Sequence, residues 1–285
     1  MRDRVDTRDP KAVESEVRSI YAALYPDGDR TFVGRAFAWA ARCFGGQQDD
    51  YQPIDARYHD FEHTMQGTLC LSRLLRGRHA AGAVPPLSVR WFELGVLAIL
   101  FHDTGYLKRR ADTEGTGAKY TPIHVGRSAD FAREFLSTQG VPDAELSAVQ
   151  NMIRCTGLNA DLKAIPFGGD VERLVGFALA TADLLGQMAA ADYVEKLPVL
   201  YQEFAEAGRY ATTPLPHEFA FGSADELMRS TPAFWEEYVQ PKINGDFGGL
   251  HAFLADPWPG GPNPYVQRIE ENIARLRQQL AAPPA

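Results

Sequence analysis

Residues 91–105 read W-F-E-L-G-V-L-A-I-L-F-H-D-T-G. The eleven residues from Trp91 to Phe101 are almost continuously apolar, which predicts a helix buried on nearly all sides, ending near Gly105 in a left-handed cap. A helix of this kind has to be surrounded by others. The periodicity supplies them: Val13, Val17, Ile20, Tyr21 and Leu24 recur at helical spacing, as do Phe32, Val33, Ala36, Phe37 and Ala40. A helix is expected to run through His59 to about Leu75, and further helices over Ser128–Leu136, after the Pro142-Asp143 start, and over Val171–Met188. In the C-terminal third, prolines punctuate shorter helices, one opened by a Ser223-to-Glu226 capping box, and a last stripe runs through Tyr265, Ile269, Ile273, Leu276 and Leu280. The sequence therefore predicts a single all-α domain over 1–285 with N-terminal helices at 10–45 and a helical extension at 215–285.

Composition narrows the classes. The chain has 285 residues, 45% of them hydrophobic, enough for a sizeable core. With 29 basic against 37 acidic residues the net charge is -8, so neither nucleic acid nor an anionic membrane is an expected partner. The N-terminus M-R-D-R-V-D-T-R-D-P has no apolar stretch of the signal-peptide kind, and the expected location is cytoplasmic. Cys43, Cys70 and Cys155 are widely spaced among apolar neighbours, as reduced buried thiols are.

The buried helix ends on a conflict. The C-terminal end of a helix carries partial negative charge and disfavours Asp103, unless a cation sits there with His102. A second buried acid, Asp183, lies in F-A-L-A-T-A-D-L-L, where a carboxylate costs several kcal/mol, of order, unless compensated. Only Arg173 and Lys196 are near in sequence as salt-bridge partners, so a bound cation is the favoured compensation. His59 and His63, in Y-H-D-F-E-H-T, are four apart and on a helix would share a face. His63, His102, Asp103 and Asp183 together form a nitrogen and oxygen set suited to zinc, manganese, iron or magnesium.

The order Y-H-x-x-x-H, then H-D, then D resembles the HD-domain superfamily of metal-dependent phosphohydrolases, and Y-H-D-F-E-H is most similar to its cyclic-nucleotide phosphodiesterase branch. The likeness spans about Arg57 to Leu197, the expected HD core of a helical bundle. It implies one or two divalent metals held by His63, His102, Asp103 and Asp183, with Asp103 bridging to the second ion. It also implies His59 as the acid that protonates the leaving oxygen of a small phosphorylated substrate, while a metal-held hydroxide attacks phosphorus. His124 is open between a ligand of the second metal, a substrate contact and a simple helix-start residue.

The chain departs from the phosphodiesterase pattern at Asp60, where asparagine is usual, and at the purine-clamping residues, which have no clear counterpart. Two rivals stay open: a mixed-valent di-iron oxygenase on the same scaffold, with Cys155, His217 or His251 as stand-in ligands, and a non-catalytic metal-containing binding module. Candidate substrate contacts are Lys108 and Arg109 after the H-D-T-G-Y turn, Lys119 and Arg127 flanking His124, and Gln187 and Lys196 beyond Asp183. The aperiodic segment Ala111–Thr121 is expected to decide the molecule attacked.

Overall fold

The computed structural model describes residues 5–281. The fold is all-α: α1 (Pro10–Leu24), α2 (Phe32–Phe44), α3 (Phe61–Ala80), α4 (Val89–Phe101), α5 (His124–Thr138), α6 (Asp143–Arg154), α7 (Asp170–Met188), α8 (Tyr193–Tyr210), α9 (Ala224–Ala233) and α10 (Pro264–Ala281). No strand occurs among the described residues, whose one isolated bridge pairs Tyr51 with Arg109. No single helix among them is long and apolar enough to cross a membrane.

The apolar run Trp91–Phe101 lies within α4, and every residue from Phe92 to Phe101 is buried. Ser88 caps it, its Oγ accepting the Trp91 N–H at 3.4 Å. Glu93, the one acid inside this helix, accepts from Tyr21 Oη at 2.6 Å and from Arg90 at 2.8 Å, so its burial leaves no charge without a partner. Helices α2, α3, α6 and α7 pack around α4.

Helices α3 and α7 form the closest pair, and glycine makes that approach possible. A Cβ on Gly186 would lie 2.8 Å from the carbonyl carbon and oxygen of Gln66, so any larger residue would wedge the two backbones apart. Asp183 stands one turn before Gly186 and His63 one turn before Gly67, so the same contact brings these two side chains together. The end of α7 is fixed by Asn272 of α10, whose Nδ2 donates to the carbonyls of Met188 and Ala190 at 2.8 Å each.

Two expectations about helix ends are corrected. Helix α3 does not run through His59: Asp60 is extended and its Oδ1 accepts the His63 N–H at 2.9 Å, so the helix begins at Phe61 and His59 lies in the turn before it. Gly105 is not a left-handed cap but sits in a short 3-10 turn, Thr104–Tyr106. Glycine is needed there for space, because a Cβ would fall 2.0 Å from the His124 carbonyl oxygen. The capping box at α9 is also modified: Ser223 Oγ accepts the Glu226 N–H at 3.1 Å, but the Glu226 carboxylate reaches Gly222 N–H at 2.7 Å.

Candidate metal centre and adjoining cavity

Four side chains from three helices or their ends converge at one point: His63 from α3, His102 and Asp103 from the end of α4, and Asp183 from α7. Relative exposures of 4%, 1%, 2% and 8% place all four inside the protein. His63 Nε2 lies 3.1 Å from Asp103 Oδ2 and 3.2 Å from Asp183 Oδ1, and His102 Nε2 lies 3.3 Å from each of the same oxygens. Neither basic residue near Asp183 in sequence pairs with it: Arg173 pairs with Asp170 and Lys196 with Glu62.

The donor set fits a cation. His102 Nδ1 engages the Ile99 carbonyl at 2.7 Å, so it carries a proton, and Nε2 is the nitrogen turned inward toward the two carboxylates. Yet His102 Nε2, Asp103 Oδ2 and Asp183 Oδ1 are buried without a well-formed hydrogen bond among the protein groups. Ligand bonds of about 2.0–2.2 Å would set neighbouring donors about 3.0 Å apart in an octahedron and about 3.4 Å apart in a tetrahedron. The separations of 3.1–3.3 Å lie between these values. The buried group His63, His102 and Asp103 could hold a metal ion.

In the metal-free protein a proton takes the cation's place imperfectly. Burial alone would keep the His63 imidazole neutral, but the adjacent Asp103 and Asp183 carboxylates outweigh it and push its pKa up to about 10. The same burial disfavours charge on Asp103 and Asp183, yet His102 and His63 hold both carboxyls below the ordinary carboxylate range.

A second group of rings borders the first. His59 Nδ1 lies 2.6 Å from Glu203 Oε2, and the other oxygen of Glu203 accepts the Tyr58 N–H at 2.7 Å. The carboxylate thus fixes the turn before α3 and leaves His59 Nε2 for the cavity that His59 lines. Burial disfavours the Glu203 charge, but His59 outweighs that effect and lowers its pKa. Tyr106 stacks on both His59, at 4.5 Å, and His124, at 4.7 Å between ring centroids. His124 Nδ1 engages the Thr121 carbonyl at 2.6 Å and its Nε2 is 3.9 Å from Asp103 Oδ1. Burial lowers the His124 pKa and keeps that nitrogen's lone pair available at neutral pH.

Glu203 is absent from the sequence-derived candidates. Its signal is a charged residue on the same face of α8 as Leu200, Phe204 and Ala207. Tyr106 carries no comparable signal, because an aromatic residue after a helix end ordinarily reads as packing.

These groups open into a cavity of about 330 Å³. Gln187 lines it and accepts from Tyr58 Oη at 2.9 Å. The basic candidates do not line it: each is engaged elsewhere. Lys108 reaches the Gly115 carbonyl at 2.6 Å and Asp55 at 3.0 Å. Arg109 lies over the Tyr51 ring, Lys119 pairs with Asp112, and Lys196 pairs with Glu62. Arg127 donates to the carbonyls of Gly105 and Leu107 at 2.7 and 2.8 Å, bracing the turn that carries Asp103.

Of the segment Ala111–Thr121 and the residues around it, Thr121, Pro122, His124 and Val125 line the cavity. Lys108, Asp55 and Glu206 tie the segment down, and only Thr121 of it reaches the cavity. Most of the remaining lining comes from Thr156–Ala160, from α8 and from the segment Pro216–Phe234. The stand-in ligands of the oxygenase alternative are elsewhere: none of Cys155, His217 and His251 lines this cavity. Cys155 Sγ contacts the Asn151 carbonyl, and the His217 side chain is 96% exposed. A wider cleft of about 930 Å³, bordered by Arg8, Arg73, Arg76 and Arg268, contains none of the site residues.

A helical protein with a buried histidine and aspartate cluster lining a mostly apolar cavity is the class these observations define. The chain belongs to the Npun_R2479-like family, whose profile matches residues 109–253. No curated protein matches it.

Proposed function

We propose that the chain is a metal-dependent phosphohydrolase of the HD-domain kind, cleaving a phosphoester, with phosphodiesters included. The observation that carries this reading is the juxtaposition of two differently equipped histidine groups. One supplies four inward-facing donors, His63, His102, Asp103 and Asp183, and the other a histidine held by a carboxylate, His59 with Glu203.

Bound there, one or two divalent ions (zinc, manganese, magnesium or iron) would bring the pKa of water toward neutrality and neutralise phosphoryl charge. Asp103 has one oxygen toward His63 and His102 and the other toward His124, so it is the residue able to serve two cations, with His124 as the further ligand. The role of this chain in proton movement falls to His59. Glu203 accepts the Nδ1 proton, stabilises the ring when charged, and directs Nε2–H to a leaving oxygen in the cavity. A merely ligand-binding module has no use for a proton donor so positioned, which favours catalysis over the binding alternative.

The test couples metal content to turnover. Protein loaded in turn with each of the four metals is assayed for phosphate or alcohol release from phosphomonoesters, phosphodiesters and nucleotides. His59→Ala should keep its metal and fold and lose about 10²–10⁴-fold in kcat. Full activity in that variant would remove His59 as the acid, and oxygen consumption by iron-loaded protein without phosphoester cleavage would replace the hydrolase with the oxygenase.

A further inference from the structure

The cavity beside the histidines has an unusual charge pattern for a site that handles phosphate. Among the described residues no lysine or arginine lines it, while Asp103, Asp183 and Glu218 do. The nearby cations are committed: Lys108 to Asp55, Lys119 to Asp112, Lys196 to Glu62, and Arg127 to two backbone carbonyls. Cations at the metal centre can neutralise the phosphoryl group undergoing reaction, but a second anionic group elsewhere in the cavity would meet Glu218 and no lysine or arginine.

The rest of the lining is mostly apolar, with Thr156, Asn159, Ser230 and Thr231 as neutral polar members. Leu200 and Phe204 come from α8, Phe219 and Phe221 from the loop before α9, Leu227 from α9, and Phe234 from the turn after it. Phe204 packs against Phe219 at 5.2 Å and against Phe221 at 6.0 Å between centroids, so the loop is seated on α8 by aromatic contacts. The volume of about 330 Å³ suits a group the size of one or two fused rings beside the reacting phosphoryl.

From this we infer that the substrate carries a single phosphoryl group esterified to an uncharged, apolar aromatic or aliphatic moiety, which the segment Pro216–Phe234 and α8 bind. Nucleoside polyphosphates and sugar phosphates with further anionic groups are excluded by the same wall. The inference rests on the phosphohydrolase reading for the reacting group and on the cavity alone for the apolar moiety.

The two parts separate experimentally. Metal-loaded protein is assayed with 2-naphthyl phosphate, glycerol 2-phosphate and ATP, and binding of uncharged 2-naphthol is measured by calorimetry with and without metal. The naphthyl ester should be preferred over glycerol phosphate in kcat/KM by about thirtyfold or more, as burial of an aromatic group predicts. 2-Naphthol should bind with or without metal. Phe221→Lys, on a partly exposed loop, should weaken naphthol binding and reduce the ester preference at least tenfold, of order, while circular dichroism and metal content stay unchanged. Equal kcat/KM for the three phosphates, a preference for ATP, or naphthol binding that is absent or indifferent to Phe221→Lys would overturn the inference. Naphthol binding with loss in Phe221→Lys, but no release of phosphate from these compounds or of naphthol from bis(2-naphthyl) phosphate with any metal, would uphold the apolar site and remove the phosphohydrolase reading instead.

Discussion

The two ends of the cavity are built by opposite means. At the histidine end, the donors sit on long buried helices or at their ends, and three of the four imidazoles have their second ring nitrogen engaged: His102 with Ile99, His124 with Thr121, His59 with Glu203. At the apolar end, the wall comes from turns and short helices after Thr156 and Pro216, fastened mainly by ring contacts such as Phe204 with Phe221. A polar centre requires orientation, because an imidazole turned by half a ring offers a proton where a lone pair is needed. An apolar wall requires only shape and volume, and loops can supply both. On the proposed function, reaction type falls to the helical end and choice of substrate to the loop end.

Disabling the orientation while keeping the donors sharpens this contrast most. Glu203→Gln puts an amide where two N–H donors, Tyr58 N and His59 Nδ1, both need an acceptor. Turnover should fall about 10²-fold, at the lower end of general acid contributions, with KM and metal content little changed. An equal loss through KM would show that Glu203 shapes the cavity and does not position His59.

Proton linkage probes the helical end alone. The His63 pKa, raised from 6.5 to about 10 in the metal-free protein, means that its charged form stabilises the fold fully below about pH 6.5, and that this contribution disappears as pH rises through about 10. A metal arriving at pH 7 must displace that proton. Affinity should therefore rise about tenfold per pH unit between pH 7 and 9 for each proton released. Calorimetry in buffers of different ionisation enthalpy counts the protons; pH-independent affinity would place the metal elsewhere.

The smallest expected effect tests the excluded residues. Arg109 is half exposed, lies over Tyr51 and does not line the cavity. Arg109→Ala should change kcat/KM less than about twofold, as surface substitutions away from a site do. A tenfold rise in KM would return it to the substrate site.

The helices around α4 were legible because apolar periodicity is a local property: Val13 through Leu24 and Phe92 through Phe101 follow it closely. The buried acids were legible for a related reason. A carboxylate such as Asp183 inside an apolar run conflicts with its surroundings, and the conflict names the residue. Helix ends were harder, since Asp60 as a cap competes with continuation through His59, and only the formed hydrogen bond decides. The apolar wall was illegible, because Phe219, Phe221 and Phe234 look in sequence like ordinary core and acquire a role only when α8 and α9 set them opposite His59. The basic residues misled for the converse reason: charge near a motif in sequence, as at Lys108 and Arg127, was absorbed by backbone carbonyls and acids that sequence distance hides.

The central claim is that His63, His102, Asp103 and Asp183 form one metal centre. Elemental analysis of the protein after loading with zinc, manganese, magnesium or iron and extensive exchange tests it directly, beside Asp183→Asn treated identically. The wild-type chain should retain one or two equivalents of at least one metal, of order, and the variant, still folded by circular dichroism, should lose at least one of them. Equal metal content in the two proteins, or none in the wild type with any of the four metals, would contradict it.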